Sequence, residues 1–183
     1  MKLKKANATF GLLTIALLLA HAGYEVITFS LMLYDPVVTK VIGWSCMAVV
    51  GIHAILGMSI MMFAHDGSDL WKYPKENRRT ILQRGSAIGI LVMIALHLKC
   101  FDLIKSGTAG LVAAEVIQVL FFACVFTHIA LSFSNAFVTL GVLEDLKKKQ
   151  RIDAVASIIC GICFIVAAFV IGRTYVIMAS MPM

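Results

Sequence analysis

An all-α bundle of five transmembrane helices, one domain over residues 1–183, is the fold class this sequence predicts. The chain is 61% hydrophobic and 14% charged, with a mean hydropathy of +0.94, where soluble domains run at roughly half apolar and a quarter charged. Its apolar residues gather into five runs, each long enough for the ~20 helical residues that cross a hydrocarbon core. Its basic residues gather at every second junction between those runs. Little chain is left over, so chemistry done in water is expected to belong to a partner.

The first run covers residues 9–31 and follows Lys2, Lys4 and Lys5. Its basic start, apolar core and Ala20-His21-Ala22 imitate a secretory leader. The run continues through Leu33, however, so a retained span is expected. It carries His21 and, one turn further along the same face, Glu25. Tyr34-Asp35-Pro36 is a turn. The second run, 38–63, holds His53 among Gly51, Ala54 and Gly57, small residues of the kind that let a neighbouring membrane helix approach closely.

The longest polar stretch follows. There His65 is expected at the water boundary, and Trp71 and Tyr73 among lysines read as an interfacial anchor. The third run, 81–105, has Arg84 at its near end and His97 toward its far end. Beyond His97 come Lys99 and Asp102, three apart and able to pair. The fourth, 110–143, holds Glu115 early and His128 later. The fifth, 154–178, has no titratable group in its apolar stretch until Arg173, and it is expected to pack peripherally against the other four.

Charge sets the expected orientation. Of the 16 Lys and Arg, only Lys40, Lys99, Lys105 and Arg173 fall on the side opposite the N-terminus. By the positive-inside rule the N-terminus of this multi-pass chain is cytoplasmic, and the bacterial cytoplasmic (inner) membrane is its expected location. The net charge of +6 then concentrates on the inner face, where it attracts anionic lipid or an acidic docked subunit; nothing points to nucleic acid. Cys46, Cys100, Cys124, Cys160 and Cys163 all lie in apolar runs and read as small hydrophobes. No C-x-x-C-H step occurs, so a haem would be b-type, held without covalent attachment.

Ionisable side chains inside a span are costly and mark function by default. Here one imidazole stands on each of four successive runs, His21, His53, His97 and His128, and none on the fifth. Paired imidazoles facing each other across a bundle are axial ligands for six-coordinate haem iron. The pattern predicts two b haems. At 1.5 Å per residue, His97 is about 24 Å from the inner end of its run and His53 about 15 Å, while His21 tends outward. These heights pair His21 with His97 as outer ligands and His53 with His128 as inner ligands. His128 fits least well, because counting back from Leu143 places it higher than an inner ligand should stand. Arg84 at the inner boundary suits a haem propionate or a lipid phosphate. Glu25, Lys99 and Asp102, on the outer side, suit either a quinone pocket or proton path, or local ion pairs.

At these residues the chain resembles the five-helix, two-haem cytochrome b subunits of succinate:quinone and quinol:fumarate oxidoreductases. That family's third-helix pattern is similar to Gln83-Arg84, Ser86, Gly89 and His97, and its second-helix pattern to His53-Ala54-Ile55-Leu56-Gly57. The order of spans agrees along the whole chain. One departure stands in the fourth helix. The family's ligand precedes a Ser-Asn-Gly step, and the similar Ser134-Asn135-Ala136 here puts Ser132 at the ligand place with His128 one turn earlier. Either the inner haem is shifted by that turn or it is absent. The resemblance implies an anchor that passes electrons between a quinone, menaquinone rather than ubiquinone, and an iron–sulfur subunit docked with a flavoprotein subunit on the cytoplasmic face. The rival expectations are a two-haem cytochrome b of another membrane oxidoreductase, of hydrogenase or heterodisulfide type, and a haem-free accessory subunit.

Overall fold

The computed structural model describes residues 2–31, 33, 35–63 and 72–180; His65 and Trp71 lie outside them. The described residues are helical apart from turns, and they include no strand. Five helices follow in order: α1 (Lys2–Leu31), α2 (Pro36–Phe63), α3 (Arg78–Ile104), α4 (Thr108–Leu140) and α5 (Leu146–Ser180). All five are long and apolar enough to cross a membrane.

The helix ends follow from backbone chemistry where hydropathy had placed them a turn or two away. α1 begins at Lys2 and α5 at Leu146, each about two turns before its apolar run. Lysine and arginine are good helix formers, so the helix continues into water after the membrane stretch has ended. At the start of α5, Asp145 accepts hydrogen bonds through Oδ1 from the Lys147 and Lys148 amides, at 2.7 and 3.4 Å. Asp35 does the same for Val37 and Val38 at the start of α2 (2.8 and 3.2 Å), with Pro36 at the first helical position, where its missing N–H costs nothing. α4 stops at Gly141, whose φ of 80° only glycine adopts freely. The Val142 amide then reaches back to the Phe137 carbonyl at 3.0 Å, and that of Gly141 to Val138 at 3.1 Å, closing a Schellman turn. In the first turn of α4 a side chain on Gly110 would run into the Leu103 carbonyl at the end of α3.

The chain divides into two compact units, Met1–Tyr73 with Ser132–Ala154, and Pro74–Leu131 with Val155–Met183. In the first, α1 packs along α2. The same unit holds the end of α4 and the start of α5, joined where the fully buried Ser134 hydroxyl donates to Asp153, whose other carboxylate oxygen accepts from Lys149 Nζ at 3.0 Å. In the second unit, Cys100 of α3, Leu111 and Ala114 of α4 and Tyr175 of α5 form a core. All five cysteines are thiols, and Cys160 and Cys163 are not joined.

Candidate cofactor site

Each unit contains a helical hairpin, and each hairpin holds two of the four imidazoles. In α1–α2, His53 Nδ1 lies 3.2 Å from the Asn7 carbonyl. Its ring sits directly on Gly11, where a Cβ would come within 3.0 Å of His53 Cε1. His21 crosses the other way, from α1 onto Gly43 of α2, where a Cβ would lie 3.6 Å from Cε1. In α3–α4, His128 Nδ1 lies 3.1 Å from the Gln83 carbonyl and 3.4 Å from the Ser86 hydroxyl. His97 crosses onto Gln118 of α4, with Nδ1 2.9 Å from Oε1.

The two hairpins repeat one plan. Asn7 stands fourteen positions before His21, and Gln83 fourteen before His97. Gly43 stands ten before His53, and Gln118 ten before His128. α2 and α4 also share residues in register: Ile42 with Ile117, Ala48 with Ala123, Val50 with Val125, Leu56 with Leu131 and Ser59 with Ser134. Asn7 and Gln83 each lie five residues into their helix, so His53 and His128 sit beside the helix starts that carry the basic clusters. Within its own hairpin His128 stands beside Gln83, five residues into α3, and α4 ends at Leu140. Ser132 is the equivalent of Gly57, not of a histidine.

The hydrogen bonds decide which ring nitrogen bears the lone pair. A carbonyl oxygen only accepts, so His53, His97 and His128 carry their proton on Nδ1, and the lone pair is on Nε2. Metal-bound histidines make this same use of their second nitrogen. His21 is the exception. Its Nδ1 is buried without a hydrogen-bond partner, with the Glu25 carboxylate 3.9 Å away, too far for a hydrogen bond. All four rings are half-buried in the chain itself. The residues fit haem in their donor chemistry: imidazoles with the lone pair on Nε2 at His53, His97 and His128, the ligand type a b haem takes. The three-ligand cluster of a non-haem metal does not occur among the described residues.

The remaining predicted site residues are placed as follows. Arg84 is half-buried and directly follows Gln83, the residue that holds His128. Lys99 and Asp102 form the local pair their spacing suggested, at 3.9 Å with both side chains 74% exposed. Glu115 reaches α5, its Oε1 3.4 Å from where a Gly172 Cβ would stand. Sequence reasoning missed Arg79, which donates from Nε and Nη2 to the Leu131 carbonyl at 3.3 and 3.0 Å, one turn from His128. It also missed Asn7, Gly11, Gly43 and Gln118, and it named Gln83 only within the family's pattern, without its contact to His128. The signal that would have found them is the repeat itself.

No protein-family model, curated protein or solved structure matches this chain.

Proposed function

We propose that the chain is a two-haem cytochrome b anchor that passes electrons between quinone and a soluble iron–sulfur and flavoprotein succinate dehydrogenase or fumarate reductase on the cytoplasmic side of a bacterial inner membrane. The observation that carries the haem part is the repeated hairpin, with two imidazoles per hairpin at the same two positions and Nδ1 engaged by a carbonyl in three of the four. The resemblance at Gln83-Arg84, His97 and His53-Ala54-Ile55-Leu56-Gly57 supplies the partner and the quinone.

His21 with His97, and His53 with His128, would hold the two irons. The ten-residue offset within each hairpin separates the two levels by about 15 Å. Bound there, each haem supplies one-electron exchange at a potential set by its axial ligands and their surroundings. The chain's own part is to orient the imidazoles through the Asn7 and Gln83 carbonyls and Gln118, and to seal the α3–α4 hairpin between its two levels. In that hairpin Gly89 is so close to Cys124 that a Cβ would come 2.9 Å from the sulfur. Arg84 and Arg79, beside the His128 level, provide cationic donors suited to propionates. At the outer level of α1–α2, the His21 Nδ1 and Thr39 Oγ1 atoms are buried without a hydrogen-bond partner. With Glu25 they offer an imidazole, a hydroxyl and a carboxylate to a quinone headgroup.

The test is purification of the full chain in detergent from its native membrane. A reduced-minus-oxidised spectrum with b-type α bands, together with iron–sulfur and flavin subunits in the same fraction, is the expected result. A colourless chain contradicts the proposal. A coloured chain with a different soluble enzyme corrects the partner and leaves the haem.

A further inference from the structure

We infer that Gln118 is the residue that positions His97 as a haem ligand, and that Gly43, its equivalent in the first hairpin, leaves His21 without such support, so the two outer ligands are unequal. This rests on the two-haem reading above and extends it to which residue tunes one haem.

An amide side chain in a membrane-spanning helix is unfavourable unless it is hydrogen-bonded. Gln118 meets that requirement by accepting from His97 Nδ1 at 2.9 Å. Phe121, next on the same face of α4, holds the other side of the ring, with centroids 5.2 Å apart and planes at 32°. An amide at one edge and a phenyl against the face leave the imidazole one tautomer and one orientation, with Nε2 directed away from the amide. Second-shell acceptors of this kind orient a ligating histidine and raise its basicity. In the first hairpin the same position has no side chain, and His21 Nδ1 is buried without a hydrogen-bond partner. A Cβ added at Gly43 would meet His21 Cε1 at 3.6 Å, ordinary contact, so a side chain can start there beside the imidazole.

The acceptor strength at position 118 sets the direction of the effect. A carboxylate pulls harder on the Nδ1 proton, makes the ligand more electron-rich and favours the oxidised iron. An alkyl group withdraws the bond and does the reverse.

The experiment is a spectroelectrochemical titration of the purified full chain, with Gln118→Glu, Gln118→Leu and Gly43→Gln. One haem, the one lost in His97→Ala, is expected to fall in midpoint potential with Gln118→Glu and rise with Gln118→Leu. It should fall again with Gly43→Gln, while the haem lost in His53→Ala stays put. Opposite signs from two substitutions of similar size are what a purely structural role would not produce. If Gln118→Leu does not insert, Gln118→Asn, an amide too short to reach, replaces it with the same expected sign. Shifts of one sign for all position-118 variants, no shift, or a shift in the other haem would overturn this inference with the haem reading intact. A chain without haem would overturn that reading itself.

Discussion

The α1–α2 and α3–α4 hairpins share a frame and differ in what fills it. Between the two histidine levels, the face of α1 carries Asn7, Gly11, Thr14, Leu18 and His21, and then Glu25. The equivalent face of α3 carries Gln83, Ala87, Ile90, Ile94 and His97. The buried polar atoms without a hydrogen-bond partner among the described residues belong to the first hairpin, including Asn7 Oδ1, Thr14 Oγ1, His21 Nδ1 and Thr39 Oγ1. The hydroxyls of Thr28, Thr139 and Thr174 donate to carbonyls one turn back, at 2.8–3.0 Å. Thr14 and Thr39 make no such bond. Register is thus set by a few contacts, histidine on glycine or amide and imidazole on carbonyl. The remaining seam positions are then available for other work: a partly polar lining in one hairpin, an apolar one in the other.

That equivalence is open to direct challenge, first at the inner level. His53→Ala and His128→Ala should each remove the same haem completely, and Ser132→Ala should remove none, because Ser132 matches Gly57. Loss of different haems in the two histidine variants, read from low-temperature visible spectra, would break the comparison.

A partial effect is expected at the glycine beneath His53. Gly11→Leu drives a side chain into the imidazole and should cost more than half of the inner haem's low-spin signal. Gly51→Ala, where a Cβ has nothing within 4 Å, should cost none. Equal signals in the two proteins would mean that the ring does not need its place on α1.

The smallest effect probes the polar seam. Thr14→Val replaces a buried hydroxyl that lacks a partner with a methyl group of the same shape, and should raise stability against SDS titration by about 1 kcal/mol. Destabilisation by a similar amount would show that the seam is hydrated, since a bridging water satisfies such atoms.

The number and order of the helices were legible in the sequence because hydrocarbon imposes length and composition together. Their ends were less so. Hydropathy reports where the membrane stops, whereas the capping residues Asp35, Asp145 and Gly141 report where the helix stops. The four histidines, the His21–Glu25 step and the Lys99–Asp102 pair were legible from spacing alone. The partners of the histidines were not. A backbone carbonyl such as that of Asn7 or Gln83 has no residue signature, and Gln118 looks like any polar residue until register places it against His97. The repeat was present in the residue numbers, but few identities accompany it between α1 and α3, where apolar residues substitute freely against lipid.

The central proposal is that each haem takes one imidazole from each hairpin. The most direct measurement is a pyridine haemochrome count on the purified full chain, followed by the same count on His21→Ala and on His97→Ala. Two haems per chain, with the same one missing from both variants and the other unchanged, is the predicted result. One haem or none in the intact chain, or a different haem lost in each variant, would contradict it.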